Sequence, residues 1–188
     1  MRQKLTAVLM MLCLLLTSCG AAENSMKDAL AFRSVLQEHG GCSFTAAVTT
    51  EVEDRGYCFT LQAEYRTDAP TRITVTEPET LRGISAELTA ADAVIAFDGV
   101  ELDFGTLDSR LSSPLYCPLV FGSCWDQEYI DCAGADGDSY RVTYRMGYDD
   151  EELILETWFT EGVPSRCEIY GGETLLLSAD VESFIFLP

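Results

Sequence analysis

The sequence predicts a mainly β fold, an antiparallel meander of about ten strands preceded by one helix. Two observations predict it. Apolar residues recur with a period near 3.6 only as far as His39, and with a period of 2 from Cys42 onward. The alternating runs are separated by turn dipeptides, Asp98-Gly99, Asp136-Gly137 and Gly171-Gly172 among them.

The elements follow in order. Arg2 and Lys4 precede the uncharged run Leu5–Leu16, and Leu16-Thr17-Ser18 leads into Cys19. That run is shorter than the ~20 apolar residues a membrane span needs, and it suits the apolar region of a secretory signal. Small residues directly before a cysteine are what a lipoprotein signal peptidase requires. Residues 1–18 are therefore expected to be a signal peptide, Cys19 the lipid attachment site, 19–25 a lipidated tether and 26–188 one folded domain. Ser25 and Asp28 read as a helix cap, and the helix predicted to His39 places Ala29, Phe32 and Leu36 on one stripe. Gly40-Gly41 ends it.

Strands are then expected at 42–52 and 57–66, at 72–77 up to Pro78, at 84–88, and at 93–97 and 100–104 around Asp98-Gly99. Residues 79–83 read as a turn or a single helical turn. Residues 114–125 hold no charge and contain Pro114 and Pro118, so short helical turns or an apolar loop are expected there. Strands resume at 127–133, 139–147, 152–160, 165–170, 173–178 and 181–186.

Charge and cysteines narrow the function. The chain has 12 Lys+Arg against 31 Asp+Glu, a formal charge of −19. A processed chain would lose Arg2 and Lys4 and keep every acid, leaving 10 basic residues and −21. Nucleic acid is excluded as a partner, because binding it requires cations to neutralise phosphates. An anionic membrane would repel such a domain, so its anchor must be covalent. Beyond Cys19 six cysteines remain: Cys42, Cys58, Cys117, Cys124, Cys132 and Cys167. They lack C-x₂-C spacing and the chain has one His, so neither a metal site nor a cofactor is expected. One or two disulfides at most are expected, with Cys58 and Cys167 read as buried thiols in strands.

Catalytic chemistry is missing. His39, alone of its kind, ends the first helix, and no G-x-S-x-G elbow or phosphate loop occurs. Asp136-Gly137-Asp138 lacks the late glutamate of a calcium loop and reads as a turn, and Asp149-Asp150-Glu151-Glu152 as a solvated link. The protein is expected not to be an enzyme. What stands out is apolar: Leu115, Leu119, Val120, Phe121 and Trp125 are the candidate ligand-lining residues, on a segment that either plugs the core or lines a cavity.

The segments ITVTEPETLRGISAEL, VIAFDGVELDFGTL, SPL and WFTEGVPSRCEIYGGETLLLSADVESFIF, in that order, resemble the LolA-like lipoprotein-sorting superfamily in its lipidated Gram-positive branch. The resemblance spans most of residues 26–187. It implies a curved antiparallel sheet forming an incomplete β-barrel, with short helices at its mouth and a concave face that holds acyl chains or an apolar partner segment. Arg72 and Arg82 are its candidates for the gating arginine of the soluble carriers. The function expected is a lipid-anchored protein on the extracytoplasmic face of the bacterial cell membrane, binding a lipid or an apolar segment of an envelope partner. The alternative is a structural or regulatory lipoprotein with a filled barrel, acting by protein contact, for example on a cell-wall enzyme.

Overall fold

The structure is a computed structural model that describes residues 19–52, 55–89, 92–97, 99–103, 113–147 and 152–188. The signal peptide expected at 1–18 lies outside the described residues, as do the acidic residues 149–151. Helix α1 (Cys19–Glu38) leads into strands β1 (Gly41–Val52), β2 (Arg55–Arg66), β3 (Thr71–Glu77), β4 (Ser85–Leu88), β5 (Ala93–Phe97) and β6 (Val100–Asp103). A 3-10 turn (Pro114–Tyr116) and helix α2 (Cys117–Asp126) follow, then β7 (Tyr129–Asp136), β8 (Ser139–Met146), β9 (Leu153–Thr160), β10 (Val163–Gly171) and β11 (Thr174–Phe186).

All eleven described strands form one antiparallel sheet, in the order β6-β5-β4-β3-β2-β1-β11-β10-β9-β8-β7. β6 and β7 are its two free edges, so the barrel is unclosed. Its curvature follows from what α2 touches. Tyr65 of β2 and Thr157 of β9 both hydrogen-bond to α2, through Asp126 and Trp125. Those strands are four steps apart in the sheet, roughly 19 Å if it were flat, whereas a helix is only ~10–12 Å across. The sheet must therefore wrap around α2.

Alternation puts Phe44, Ala46 and Val48 of β1, Leu61 and Ala63 of β2, and Leu155, Thr157 and Phe159 of β9 on the concave face, all buried. An aromatic cluster fills it: the Trp125 ring lies 5.5 Å from Phe44, 5.9 Å from Phe121 and 6.2 Å from Phe32. α1 covers the end of the half-barrel, burying the expected stripe of Ala29, Phe32 and Leu36. Arg33 ties the helices together by donating to the carbonyls of Cys124, Trp125 and Glu128, where the negative end of α2 gathers.

Several expectations are corrected. The described helix runs from Cys19 to Glu38, longer than the one expected from Ser25, and Ser25 is buried within it rather than capping it. Ala21, Ala22 and Glu23 favour helix, and a Glu23–Lys27 pair at 2.8 Å supports the added turns. Residues 117–126 form a true helix. Pro114 and Pro118 sit in the first turns of their helical segments, where no backbone N–H is needed. The strands expected at 173–178 and 181–186 are one. Thr45 faces Ser183 while Ala46 faces Val181, so Glu182 is an extra residue that shifts the alternation from Leu177 and Ala179 to Phe184 and Phe186. None of the six described cysteines after Cys19 forms a disulfide, and Cys58, on the outer phase of β2, is exposed rather than buried.

A candidate apolar groove at the mouth of the half-barrel

Antiparallel pairing assigns each turn to one of two ends. β1 starts beside the end of β2, with Gly41 opposite Arg66, and beside the end of β11, with Cys42 opposite Phe186. α1 lies at this end: Gly40 O accepts from Thr67 N, His39 Nδ1 is 2.6 Å from Leu187 O, and Phe32 packs on Phe186. The β1–β2, β3–β4 and β10–β11 connections leave from the opposite end.

At that opposite end lies a groove of about 510 Å³. Tyr57 and Phe59 come from the start of β2 and Val75 from the end of β3. Pro78, Leu81 and Ile84 come from the β3–β4 link, and Pro114 and Leu115 from the 3-10 turn. Among the described residues no lining side chain is charged. The link is shaped by Leu81 N donating to Pro78 O, and by Val75 exchanging backbone hydrogen bonds with Ile84 and Gly83. On the other wall, Ser113 Oγ accepts from Leu115 N and caps the 3-10 turn. Tyr57 and Leu81 are 48% and 39% exposed, so large apolar side chains face solvent where a guest could cover them.

The structure divides the five candidate lining residues. Leu115 lines the groove. Leu119 is half-buried against the core, and Val120, Phe121 and Trp125 are buried in it. The groove residues that sequence reading missed, Tyr57, Phe59, Pro78 and Leu81, carried a signal: apolar residues beside turns, where a solvated link needs none. Cys19 is the first residue of α1. Arg72 and Arg82 face solvent and pair with Glu87 and Glu79 at 2.8 and 2.9 Å.

Reactive chemistry is confined. Burial pushes the Cys42 and Cys117 thiols far up and that of Cys167 up to about 12, so they stay protonated and inert. Burial, and then the neighbouring Asp126 carboxylate that its hydroxyl bonds at 3.1 Å, also raises Tyr65. Among the described residues no group of three His, Cys, Asp or Glu side chains is arranged to hold a metal, and no helix is long and apolar enough to cross a membrane. On the convex face, Trp158 lies under Arg141 and Arg166 and donates to Asp136, while the two arginines pair with Glu156 and Glu168.

The sequence matches no protein-family model and no curated protein. Solved structures do match. A DUF1329 family protein from Desulfovibrio piger aligns with a TM-score of 0.53 at 6% identity, over 88% of this chain and 93% of that one. A LolA superfamily protein from Nitrosomonas europaea aligns at 0.46 and 11% identity, over 85% and 93%. A chain in the structure of the CwlD amidase from Clostridioides difficile in complex with the GerS lipoprotein aligns at 0.37 and 12%, over 87% and 91%. The likeness to the D. piger protein is one of fold.

Proposed function

We propose that this chain is a non-enzymatic lipoprotein, anchored through Cys19 to the extracytoplasmic face of the bacterial membrane, whose half-barrel binds an acyl chain or an apolar segment of an envelope partner. The groove carries this reading: about 510 Å³, uncharged, and open at the end of the sheet away from α1. Its volume lies within the range of small-molecule sites, and it offers contact surface without catalytic groups. The anchor rests on the Leu16-Thr17-Ser18-Cys19 sequence after a charged and then apolar leader. Cys19→Ala should release the chain from the membrane fraction, and firm retention of the variant would count against the anchor.

The test of the groove is a fluorescent fatty acid titrated against the chain freed of its leader. Saturable binding should weaken about ten- to hundredfold in Leu81→Asn, as expected when one buried leucine contact is lost. A second reading has its own observation. Val120, Phe121 and Trp125 fill the concave face, as a structural or regulatory lipoprotein with a plugged barrel requires. If the wild-type chain binds neither the fatty acid nor any co-purifying lipid seen by native mass spectrometry, that reading replaces the first.

A further inference from the structure

We propose that the sheet edge at β7 takes up an extended segment of a partner protein, which pairs with β7 as a further strand and seats an aromatic side chain against Arg141. This site is separate from the groove and independent of any guest there. Three observations carry it.

The first is an unpaired backbone. β7 is an edge of the sheet, with β8 as its one neighbour among the described strands. Asp136 and Ser139 close the two-residue turn between β7 and β8, so they face each other as a hydrogen-bonded pair. Alternation then turns Gly134 and Cys132 inward to Arg141 and Thr143, and leaves the N–H and C=O groups of Ala133 and Ala135 pointing away from the sheet. Cys132, Ala135 and Asp136 are exposed. β7 has neither the lysine nor the proline that commonly blunts an edge, and its acids are engaged, Asp131 by Arg145 and Asp136 by Trp158.

The second is a glycine with no local cause. Gly134 lacks the positive φ that calls for glycine, and a Cβ built on it would meet no atom within 4 Å. Its missing side chain leaves an open space of about 290 Å³, lined by residues 132–136 and Arg141. Glycine inside a strand weakens it, and one use that offsets the loss is the close approach of another backbone.

The third is a row of side chains that stops at this gap. Register sets Gly134, Arg141, Trp158 and Arg166 side by side across β7, β8, β9 and β10 on the convex face. Both guanidinium groups lie 5.8 Å from the centre of the Trp158 ring. A strand added to β7 would lie about 4.8 Å beyond it, and with no side chain on Gly134 its own side chain would lean across to Arg141. A ring there continues the alternation of cation and aromatic. An acid does not suit the space, because Glu156 already pairs with Arg141 at 3.1 Å and Asp136 lines the wall. A second copy is opposed by charge, since each chain carries a formal −19.

The test titrates the chain with a fluorescent seven-residue peptide of alternating threonine and valine with tyrosine at its centre. Fluorescence anisotropy should show saturable binding, and hydrogen exchange should slow within residues 132–136. Replacing the peptide's tyrosine by alanine should weaken binding about fivefold. Gly134→Leu fills the space, and Ala135→Pro removes an outward N–H while sparing the bonds to β8. Each should weaken binding about tenfold or more, with circular dichroism unchanged. Arg141→Lys keeps the charge but loses the planar face, so it should weaken the tyrosine peptide and leave the alanine peptide unaffected. Leu81→Asn in the groove should change nothing. Absence of binding, binding indifferent to both Gly134→Leu and Ala135→Pro, or equal binding of the two peptides would overturn the proposal. So would a dimer in sedimentation equilibrium that Ala135→Pro dissociates, because a second copy would then hold the edge.

Discussion

Residues 113–126 are one uncharged stretch until Asp126, yet their two halves do different work. Pro114 and Leu115 sit at the rim and wall the groove, whereas Phe121 and Trp125 are wholly buried and packed among Phe44, Phe32 and Phe184. Composition does not separate the halves; depth in the half-barrel does. A helix this apolar must be buried, and α2 is buried along most of its length because the sheet curls around it. The 3-10 turn precedes the point where the sheet encloses the chain, so its leucine meets solvent. An apolar run marks where a guest could be held, but only the part that the protein leaves uncovered can hold one.

The comparison is broken most severely at Phe121. Phe121→Glu would bury an unpaired charge at a wholly buried position, and circular dichroism should show an unfolded chain. Trp125→Ala, which also removes the indole N–H that donates to the Thr157 hydroxyl at 3.1 Å and leaves that hydroxyl only Cys167, should cost about 3–5 kcal/mol in denaturant melts. Leu115→Asn at the rim should cost only about 1 kcal/mol while abolishing most probe binding. Equal destabilisation by Leu115→Asn and Trp125→Ala would dissolve the distinction between the halves.

A smaller effect is expected at Gly122. A Cβ there would lie 2.1 Å from the Tyr65 ring, so α2 approaches β2 as closely as it does only because this residue has no side chain. Gly122→Ala should destabilise by about 1–3 kcal/mol. The double variant Gly122→Ala, Tyr65→Ala should recover part of that loss; no recovery would mean that the close approach is not the cause.

The least perturbing probe is thiol chemistry. Cys58 is exposed at the groove end, while Cys117 and Cys124 lie buried in α2. An ordinary thiol is substantially ionised near pH 9. Burial holds Cys117 well above that range and raises Cys167 to about 12, so at pH 9 a thiol reagent should label the exposed Cys58 and leave these two unlabelled. The sign follows from burial disfavouring the thiolate. Labelling of Cys117 at the rate of Cys58 would show that the packed half opens readily, and slower labelling of Cys58 with a guest bound would sharpen the contrast.

How much was legible in the sequence varied with the range of the interaction. The two-residue period and the turn dipeptides are local, and they located most strands. The α1 stripe was likewise readable, because helical spacing alone aligns Ala29, Phe32 and Leu36. A bulge hides itself, which is why β11 read as two strands: Glu182 shifts the alternation, and only pairing with β1 shows that the chain runs on. Proline frequency misled in the same way, since Pro114 and Pro118 begin their segments instead of breaking them.

The sequence by itself determined the fold class, the acidic net charge and the single histidine that leaves no histidine pair. Tertiary structure decided which apolar residues stay uncovered. Phe59 and Leu81 lie far apart along the chain from Leu115, and they share a groove only because β2, the β3–β4 link and the 3-10 turn meet at one end of the sheet. Hydropathy is a property of each residue, whereas exposure depends on what the rest of the chain places over it.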